Sequence, residues 1–253
     1  METLKVLILG IEQGVTELLP ISSSAHLLLT SQILNIKMDT YLLSVLHLGT
    51  TIALVIHFWK FLFKDILKKE KLSLYLKIAI SIIPAGVIGL LFESVIEEKL
   101  RGNLIIAISL IIWGAVMILI ERKVNIKEQE LTGITWKQSL LIGISQIIAF
   151  IPGGSRSGIA TITGMLMGLN KYTAIQYSFL LGLPLLFAAP VYEIFKEYPE
   201  RILNGSDLLG IVIAGVVTYV CLLLLEKFSK RNWLTLFGIY RIVLGISVLL
   251  FLL

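Results

Sequence analysis

Two segments of this chain carry polar side chains of the kinds that bind and process phosphate groups, and each lies in a mostly apolar stretch. The first segment, residues 10–26, contains Glu17, three serines and His26, which could supply a base, a hydroxyl and an acid. The second segment, residues 143–158, contains Arg156, whose planar guanidinium suits phosphate oxygens. Together the two segments predict a phosphate site with acid–base groups to spare.

The spacing in the first segment indicates a helix that breaks and restarts. Gln13 and Glu17 are four residues apart and therefore share one helix face. Pro20 ends that helix, and Ser22–Ser24 can cap the next one, whose first backbone N–H groups favour an anion. The alternative is structural, because serine-rich turns cap many helices and a Glu–His pair can neutralise two buried groups.

The second turn, Pro152–Gly158, strengthens the chemical interpretation. Gly154 allows the backbone to approach a ligand closely, and Ser155 and Ser157 can cap a helix or donate hydrogen bonds. Arg156 is a permanent cation at the start of that helix. A salt bridge from Arg156 to Glu17 is the structural alternative. The two interpretations are compatible, because Arg156 can pair with Glu17 while the site is empty.

The elements that position these turns are membrane helices. The chain has 253 residues, of which 57% are hydrophobic and only 15% charged, and its mean hydropathy is +0.91. A soluble domain would carry more charge. Six apolar runs are each about the ~20 residues that cross a bilayer core. These runs cover residues 41–59, 74–92, 103–120, 173–195, 207–225 and 233–253.

The net charge of +5 does not indicate a nucleic-acid partner, because the basic residues cluster in alternate connections. The connections 60–77 and 122–137 are rich in lysine and arginine, which predicts that they are cytoplasmic. The connections 93–102 and 196–206 carry more glutamate and are predicted to be external.

This orientation leaves segments 4–36 and 138–170 entering and leaving the membrane by one face each. Each is predicted to be a re-entrant helix–turn–helix hairpin, and the two enter from opposite faces so that their tips meet near the midplane. Irregular backbone at that depth is tolerated where it is buried in protein or lines a wet cavity. The predicted fold is an all-α integral membrane domain with six full transmembrane helices and two re-entrant hairpins. It forms one polytopic domain over residues 1–253, an inverted-topology repeat of about 1–125 and about 135–253.

These motifs resemble those of a known family. Gln13 and Glu17 resemble its [E/Q]xxxE motif, which continues here into Leu19–His26. Pro152–Gly158 resembles its PGxSRSG motif, and Gly164–Gly168 follows as in the family. Over its whole length the chain is similar to the undecaprenyl-pyrophosphate phosphatases of the bacitracin-resistance type.

The resemblance implies hydrolysis of undecaprenyl pyrophosphate to the monophosphate and inorganic phosphate in the cell membrane. This reaction recycles the lipid carrier for peptidoglycan synthesis and gives bacitracin resistance. The resemblance also implies a divalent cation, Mg²⁺ or Ca²⁺, and leaves a homodimer open. The implied catalytic residues are Glu17, Ser23, His26 and Arg156, the metal-binding residues are Glu17 and Gln13, and the substrate-binding residues are Gln13, Ser22, Ser24, Gly154, Ser155, Ser157 and Thr161.

Two positions depart from the family pattern. The first acidic position of the motif is Gln13 in this chain. A metal site with two carboxylates would therefore need Glu12, or a lipid phosphate oxygen in place of the second carboxylate. The threonine that follows the second motif in the family aligns with Ala160, and Thr161 comes one place later.

The nucleophile stays open at this stage. Either Ser23 attacks after activation by His26 or Glu17, or His26 activates a water molecule. Because the first hairpin enters from outside, the active site is expected to open to the external face. The competing function is a secondary transporter or flippase of lipid phosphate or a small anion, since inverted repeats are typical of transporters.

The sequence also allows predictions for three further polar residues. Arg241 is either a counter-charge for Glu12 or Glu17, or a second phosphate contact. Gln146 mirrors Gln13 and is predicted to bond across the repeat. His47 either lines the entrance or is structural, as single histidines near span ends usually are.

Overall fold

The structure is a computed structural model that describes residues 2–35, 40–92, 99–100, 102–123, 129–198, 200, 203–228 and 232–253. Within these ranges the chain forms ten α-helices and no strand. The helices are α1 Glu2–Thr16, α2 Ser23–Ile33, α3 Thr40–Phe63, α4 Lys69–Leu91, α5 Asn103–Lys123, α6 Trp136–Ser145, α7 Arg156–Leu166, α8 Lys171–Glu197, α9 Gly205–Phe228 and α10 Trp233–Phe251. Parts of the predicted charge pattern, in 93–98, 101, 124–128, 201–202 and 229–231, lie outside the described residues.

Six of these helices, α3, α4, α5, α8, α9 and α10, are long and apolar enough to cross a membrane, which confirms the six predicted spans. The largest difference is at the start of α4, which begins at Lys69 and not near residue 74. Lysine side chains can keep their amines in the polar interface while their stems cover apolar surface, so a membrane helix can extend past its apolar run. Large apolar side chains, such as Leu90, Val212 and Leu250, are exposed on the outside of the bundle.

The other four helices form two pairs that are too short to cross. The pair α1 and α2 has 15 and 11 residues, and the pair α6 and α7 has 10 and 11. At ~1.5 Å per residue even α1 extends only about 22 Å, less than the ~30 Å hydrocarbon core. Residues 17–22 join the first pair, and a 3-10 turn over Gln146–Phe150 leads into the junction of the second.

Each short pair packs against a long helix from the other half of the chain. α1 lies along α9, and α6 lies along α4. Both contacts are close at a glycine: a Cβ added at Gly14 would lie 2.8 Å from the Ala214 carbonyl oxygen, and one at Gly143 would lie 2.4 Å from that of Ser81. The pairs α3–α8 and α5–α10 also join the two halves. This reciprocal packing fixes both turns in one framework.

Candidate active site

The second helix of each short pair begins in the same way. Ser22 (φ 73°, ψ 92°) precedes α2 and Ser155 (φ 68°, ψ 107°) precedes α7, so both have positive φ. Each Oγ accepts a hydrogen bond from the backbone N–H three residues later, at 3.4 and 3.2 Å. The first helical residues are therefore Ser23 in one pair and Arg156 in the other. Equivalent backbone positions thus present a hydroxyl and a guanidinium.

The two turns contact each other directly. The Gly153 N–H donates to Ser22 Oγ at 3.1 Å, and Ser157 Oγ donates to the Leu19 carbonyl at 3.3 Å. A Cβ added at Gly158 would lie 3.2 Å from Pro20 Cβ, closer than ordinary van der Waals contact, so the two turns pack tightly at this glycine. Side chains from both turns can therefore act on one ligand.

An ion pair between Glu17 and Arg156 crosses this contact. Arg156 Nη2 lies 3.0 Å from Glu17 Oε1, and the side chains are 17% and 6% exposed. Glu17 Oε2 accepts from Ser23 Oγ at 2.5 Å and from Gln13 Nε2 at 3.2 Å. A buried carboxylate is tolerated when it is paired and hydrogen-bonded, and both conditions hold here.

These groups form the polar floor of a cavity of about 730 Å³. Its walls are mostly apolar and come from residues 43–47 of α3, 82–90 of α4 and 185–193 of α8. From the predicted site, the polar residues that line it are Glu17, Ser22, Ser23, Ser24, Ser155 and Arg156. The cavity therefore joins a charged end to an apolar channel between helices.

Arg241 has neither of the two roles predicted for it. Its side chain is fully buried and donates to backbone carbonyls of both turns: to Pro20 at 2.7 Å, to Gly154 at 3.3 Å, and to Gly153. It pairs with no carboxylate among the described residues and does not line the cavity. Arg241 takes this role because irregular turns in apolar surroundings leave backbone carbonyls that need hydrogen-bond donors.

His26 lies outside the cavity lining. Its Nδ1 is 2.8 Å from the Ser22 carbonyl oxygen, which can only accept, so Nδ1 carries the proton. Its Nε2 is 2.7 Å from the Tyr240 hydroxyl, and the two rings stack with centroids 5.7 Å apart. The geometry thus ties His26 to the backbone of the first turn and to α10.

The remaining predicted residues divide between the site and its surroundings. Ser157 and Gly154 lie in the contact between the turns. Thr161 Oγ1 is within 3.5 Å of Ser178 Oγ on α8 and does not line the cavity. Glu12 Oε1 accepts from Thr30 Oγ1 at 2.5 Å, and Glu12 does not line the cavity.

The predicted bond from Gln146 across the repeat is wrong. Its Nε2 donates to the Ile142 carbonyl one turn back in its own segment, at 3.4 Å, although the side chain does line the cavity. Gln13 bonds within α1 and its turn in the same local way. An amide four residues from a carbonyl or carboxylate finds that partner first, which sequence symmetry does not reveal.

His47 is a member of the site that the sequence did not distinguish from a structural residue. Its Nδ1 lies 2.7 Å from the Leu43 carbonyl oxygen, and its Nε2 lies 3.6 Å from Glu17 Oε2 inside the cavity. The only available signal was general, since an ionisable side chain within a membrane span is a candidate functional residue.

The described residues contain no group of three or more His, Cys, Asp or Glu side chains that could hold a metal ion alone. Two carboxylates line the cavity, Glu193 on the α8 wall and Glu17 at the polar floor. Beside Glu17, Gln13 keeps a buried amide oxygen, Oε1, without a hydrogen-bond partner. This donor set fits a hard cation that takes its other ligands from phosphate oxygens and water.

Known proteins are similar to this chain over nearly its whole length. The family described as bacitracin resistance protein BacA matches residues 6–247. A protein of Campylobacter jejuni subsp. jejuni serotype O:23/36 named undecaprenyl-diphosphatase is 39% identical over 97% of this chain and 92% of its own length. Proteins with the same name from Enterococcus faecalis and Methanococcus aeolicus are each 34% identical, over 98% and 99% of this chain and 96% and 99% of their own lengths.

The contacts of Arg241 predict a stability effect. Arg241→Met should lower the thermal midpoint in detergent, because the three carbonyls it serves lose their donor and a buried unsatisfied group costs about 1–3 kcal/mol. The control is Arg122→Met on α5, where the side chain is exposed. Equal midpoints for the two variants would contradict the role assigned to Arg241.

Proposed function

The chain belongs to the bacitracin resistance protein BacA family, and we infer from this and from its site that it is an undecaprenyl-diphosphatase. It is an integral membrane phosphatase that hydrolyses undecaprenyl diphosphate to undecaprenyl phosphate and inorganic phosphate, and so recycles the lipid carrier for peptidoglycan synthesis. The observation that carries the site assignment is the Glu17–Arg156 pair beside Ser23 at the floor of a largely apolar cavity.

The shape and lining of the cavity match an amphiphilic substrate. The diphosphate would lie against Arg156 and the starts of α2 and α7, where backbone N–H groups and the positive ends of the helix dipoles favour an anion. The isoprenoid chain would extend along the apolar walls formed by α4 and α8. In this arrangement Arg156 exchanges part of its contact with Glu17 for phosphate oxygens.

Ser23 is the proposed nucleophile, with Glu17 as its base, because Ser23 Oγ already donates to Glu17 Oε2 at 2.5 Å. Oγ attacks the terminal phosphorus, the bond to the bridging oxygen breaks, and undecaprenyl phosphate leaves. Glu17 takes the hydroxyl proton. A water molecule then hydrolyses the phosphoserine, which releases inorganic phosphate and restores Ser23.

His26 supports this reaction from behind the turn in our proposal. Its bond to the Ser22 carbonyl holds the residue that caps α2, and so fixes the orientation of Ser23. Tyr240 holds the ring, and the next residue, Arg241, holds the backbone of both turns. The direct acid–base role predicted for His26 from the sequence would require the ring to leave these partners.

Mg²⁺ or Ca²⁺ is the proposed cofactor. Glu17 and the Gln13 amide oxygen would hold it together with the substrate. When bound, the cation would neutralise charge on the diphosphate.

The two short pairs are proposed to be re-entrant hairpins of an inverted repeat. Support comes from their lengths, the matching geometry of Ser22 and Ser155, and the reciprocal packing of α1 on α9 and α6 on α4. The cavity lies at the end of the bundle where α4 and α8 finish, opposite the lysine-rich connection between α3 and α4. The positive-inside rule therefore supports an opening at the external face.

We expect the purified protein in detergent, with a single aqueous compartment, to release phosphate from undecaprenyl diphosphate. Ser23→Ala should lower kcat roughly 10³-fold or more, because the nucleophile is lost. Acid-quenched wild-type protein should yield a peptide phosphorylated at Ser23. Ser247→Ala, on α10 outside the cavity, is the control.

Two results would contradict this assignment. Binding of the lipid without phosphate release would favour a transporter over an enzyme. Turnover by Ser23→Ala at the wild-type rate would exclude Ser23 as the nucleophile and favour direct attack by water.

A chelator should abolish phosphate release, and added Mg²⁺ or Ca²⁺ should restore it. Gln13→Glu, which adds a second carboxylate beside Glu17, should lower the Mg²⁺ concentration needed for half-maximal activity, whereas Gln13→Leu should raise it. Activity that is indifferent to the chelator would exclude the cation from the mechanism.

The proposed orientation predicts a labelling pattern for single cysteines introduced in a Cys221→Ala background. Leu203→Cys, between α8 and α9, should react with a membrane-impermeant maleimide on intact cells. Leu67→Cys, between α3 and α4, should react only after permeabilisation. Both leucines are exposed in the structure, so the reverse pattern would mean that the cavity opens to the cytoplasm.

A further inference from the structure

The cavity contains an ionisable side chain that belongs to neither turn. His47 is the eighth residue of α3, and its side chain is 20% exposed into the cavity that holds Glu17, Ser23 and Arg156. Leu43 and Ser44 on the same helix face also line this cavity. His47 therefore reaches the reacting groups from a third element, independently of both hairpins.

The backbone of α3 fixes the direction of the imidazole. The Leu43 carbonyl can only accept, so Nδ1 donates to it at 2.7 Å and the ring cannot turn over without losing that bond. The position of the backbone is held in turn by Thr51 Oγ1, which lies 2.9 Å from the His47 carbonyl and 2.8 Å from the Leu186 carbonyl on α8. Nε2 is thereby presented to the cavity.

The contact made by Nε2 is with the oxygen that matters most for the proposed reaction. Nε2 lies 3.6 Å from Glu17 Oε2, the same oxygen that accepts from Ser23 Oγ. Arg156 contacts the other oxygen, Oε1. With Nδ1 donating to the Leu43 carbonyl, Nε2 donates toward Oε2 when the ring is an imidazolium, and the carboxylate is then held by Arg156 at one oxygen and by His47 at the other.

We infer that His47 is a further positioning residue of the reaction, which keeps Glu17 Oε2 directed at Ser23. This inference rests on the proposed function, in which Glu17 is the base for Ser23. A carboxylate held by Arg156 alone could rotate Oε2 away from the hydroxyl, and small misplacements of a catalytic group are costly. His47 acts through Glu17, so its loss affects turnover more than substrate binding.

The test compares two substitutions of His47 in the purified protein with undecaprenyl diphosphate as substrate. His47→Leu removes the ring nitrogens and should lower kcat about 10- to 100-fold with KM changed less than about threefold. His47→Gln keeps an amide group at nearly the reach of Nε2 and should recover most of that loss. His57→Leu, the same change on the same helix but outside this cavity, is the control.

The thermal midpoint of each variant separates positioning from folding. If His47→Leu does not fold, His47→Asn replaces it, because its amide is too short to reach Glu17 and should behave as the leucine variant would. His47→Leu within twofold of wild type, or His47→Gln as inactive as His47→Leu, would overturn the inference. A wild-type protein that releases no phosphate would instead overturn the proposed function itself.

Discussion

The ion pair between Glu17 and Arg156 is the interaction on which the rest of the site depends. A carboxylate in apolar surroundings is unfavourable unless it is paired and hydrogen-bonded, and each half of this pair comes from a different turn. Neither turn can therefore bury its charge without the other. The close glycine contacts of α1 with α9 and of α6 with α4 bring the turns to this distance.

The backbone imposes a second constraint, because each turn leaves carbonyl groups that no helix satisfies. Arg241 meets three of them from one fully buried guanidinium, and Ser22 accepts the Gly153 N–H across the contact. Arg241 holds the turns from outside the cavity, whereas Ser22 both joins the turns and lines the cavity. Ser23 and Arg156, at equivalent helix starts, are thereby directed at one substrate with different chemistry.

The sequence predicted what depends on local pattern and on charge. Long apolar runs gave the six spans, since length and hydropathy decide whether a helix crosses a bilayer, and the proline and serine positions gave both helix starts. The structure also contains the Glu17–Arg156 pair that the sequence offered as one interpretation of Arg156. Residues placed by long-range packing could not be predicted. Arg241 and Glu17 are both buried ionisable groups, but only the fold shows that the first serves carbonyls.

The same dependence on long-range packing explains why the contacts of His26 and His47 could not be predicted. The spacing placed His26 one turn from the serines, yet the ring turns to Tyr240, which is 214 residues away in the sequence. In the sequence His47 is a single histidine in an apolar span, and only the packing of α3 against the first turn brings it to Glu17. Gln146 mirrors Gln13 in the sequence but bonds locally, because a nearby carbonyl competes with the distant partner.

The central claim is that Glu17 and Arg156 form one site across the two turns, and a double-mutant cycle tests it most directly. kcat/KM is measured for wild type, Glu17→Gln, Arg156→Gln and the double variant, with thermal midpoints showing that each is folded. The account predicts strong non-additivity, in which the double variant is scarcely worse than the poorer single variant, with a coupling energy of at least about 1.5 kcal/mol. Losses that simply multiply would show that the two residues act independently and would contradict the account.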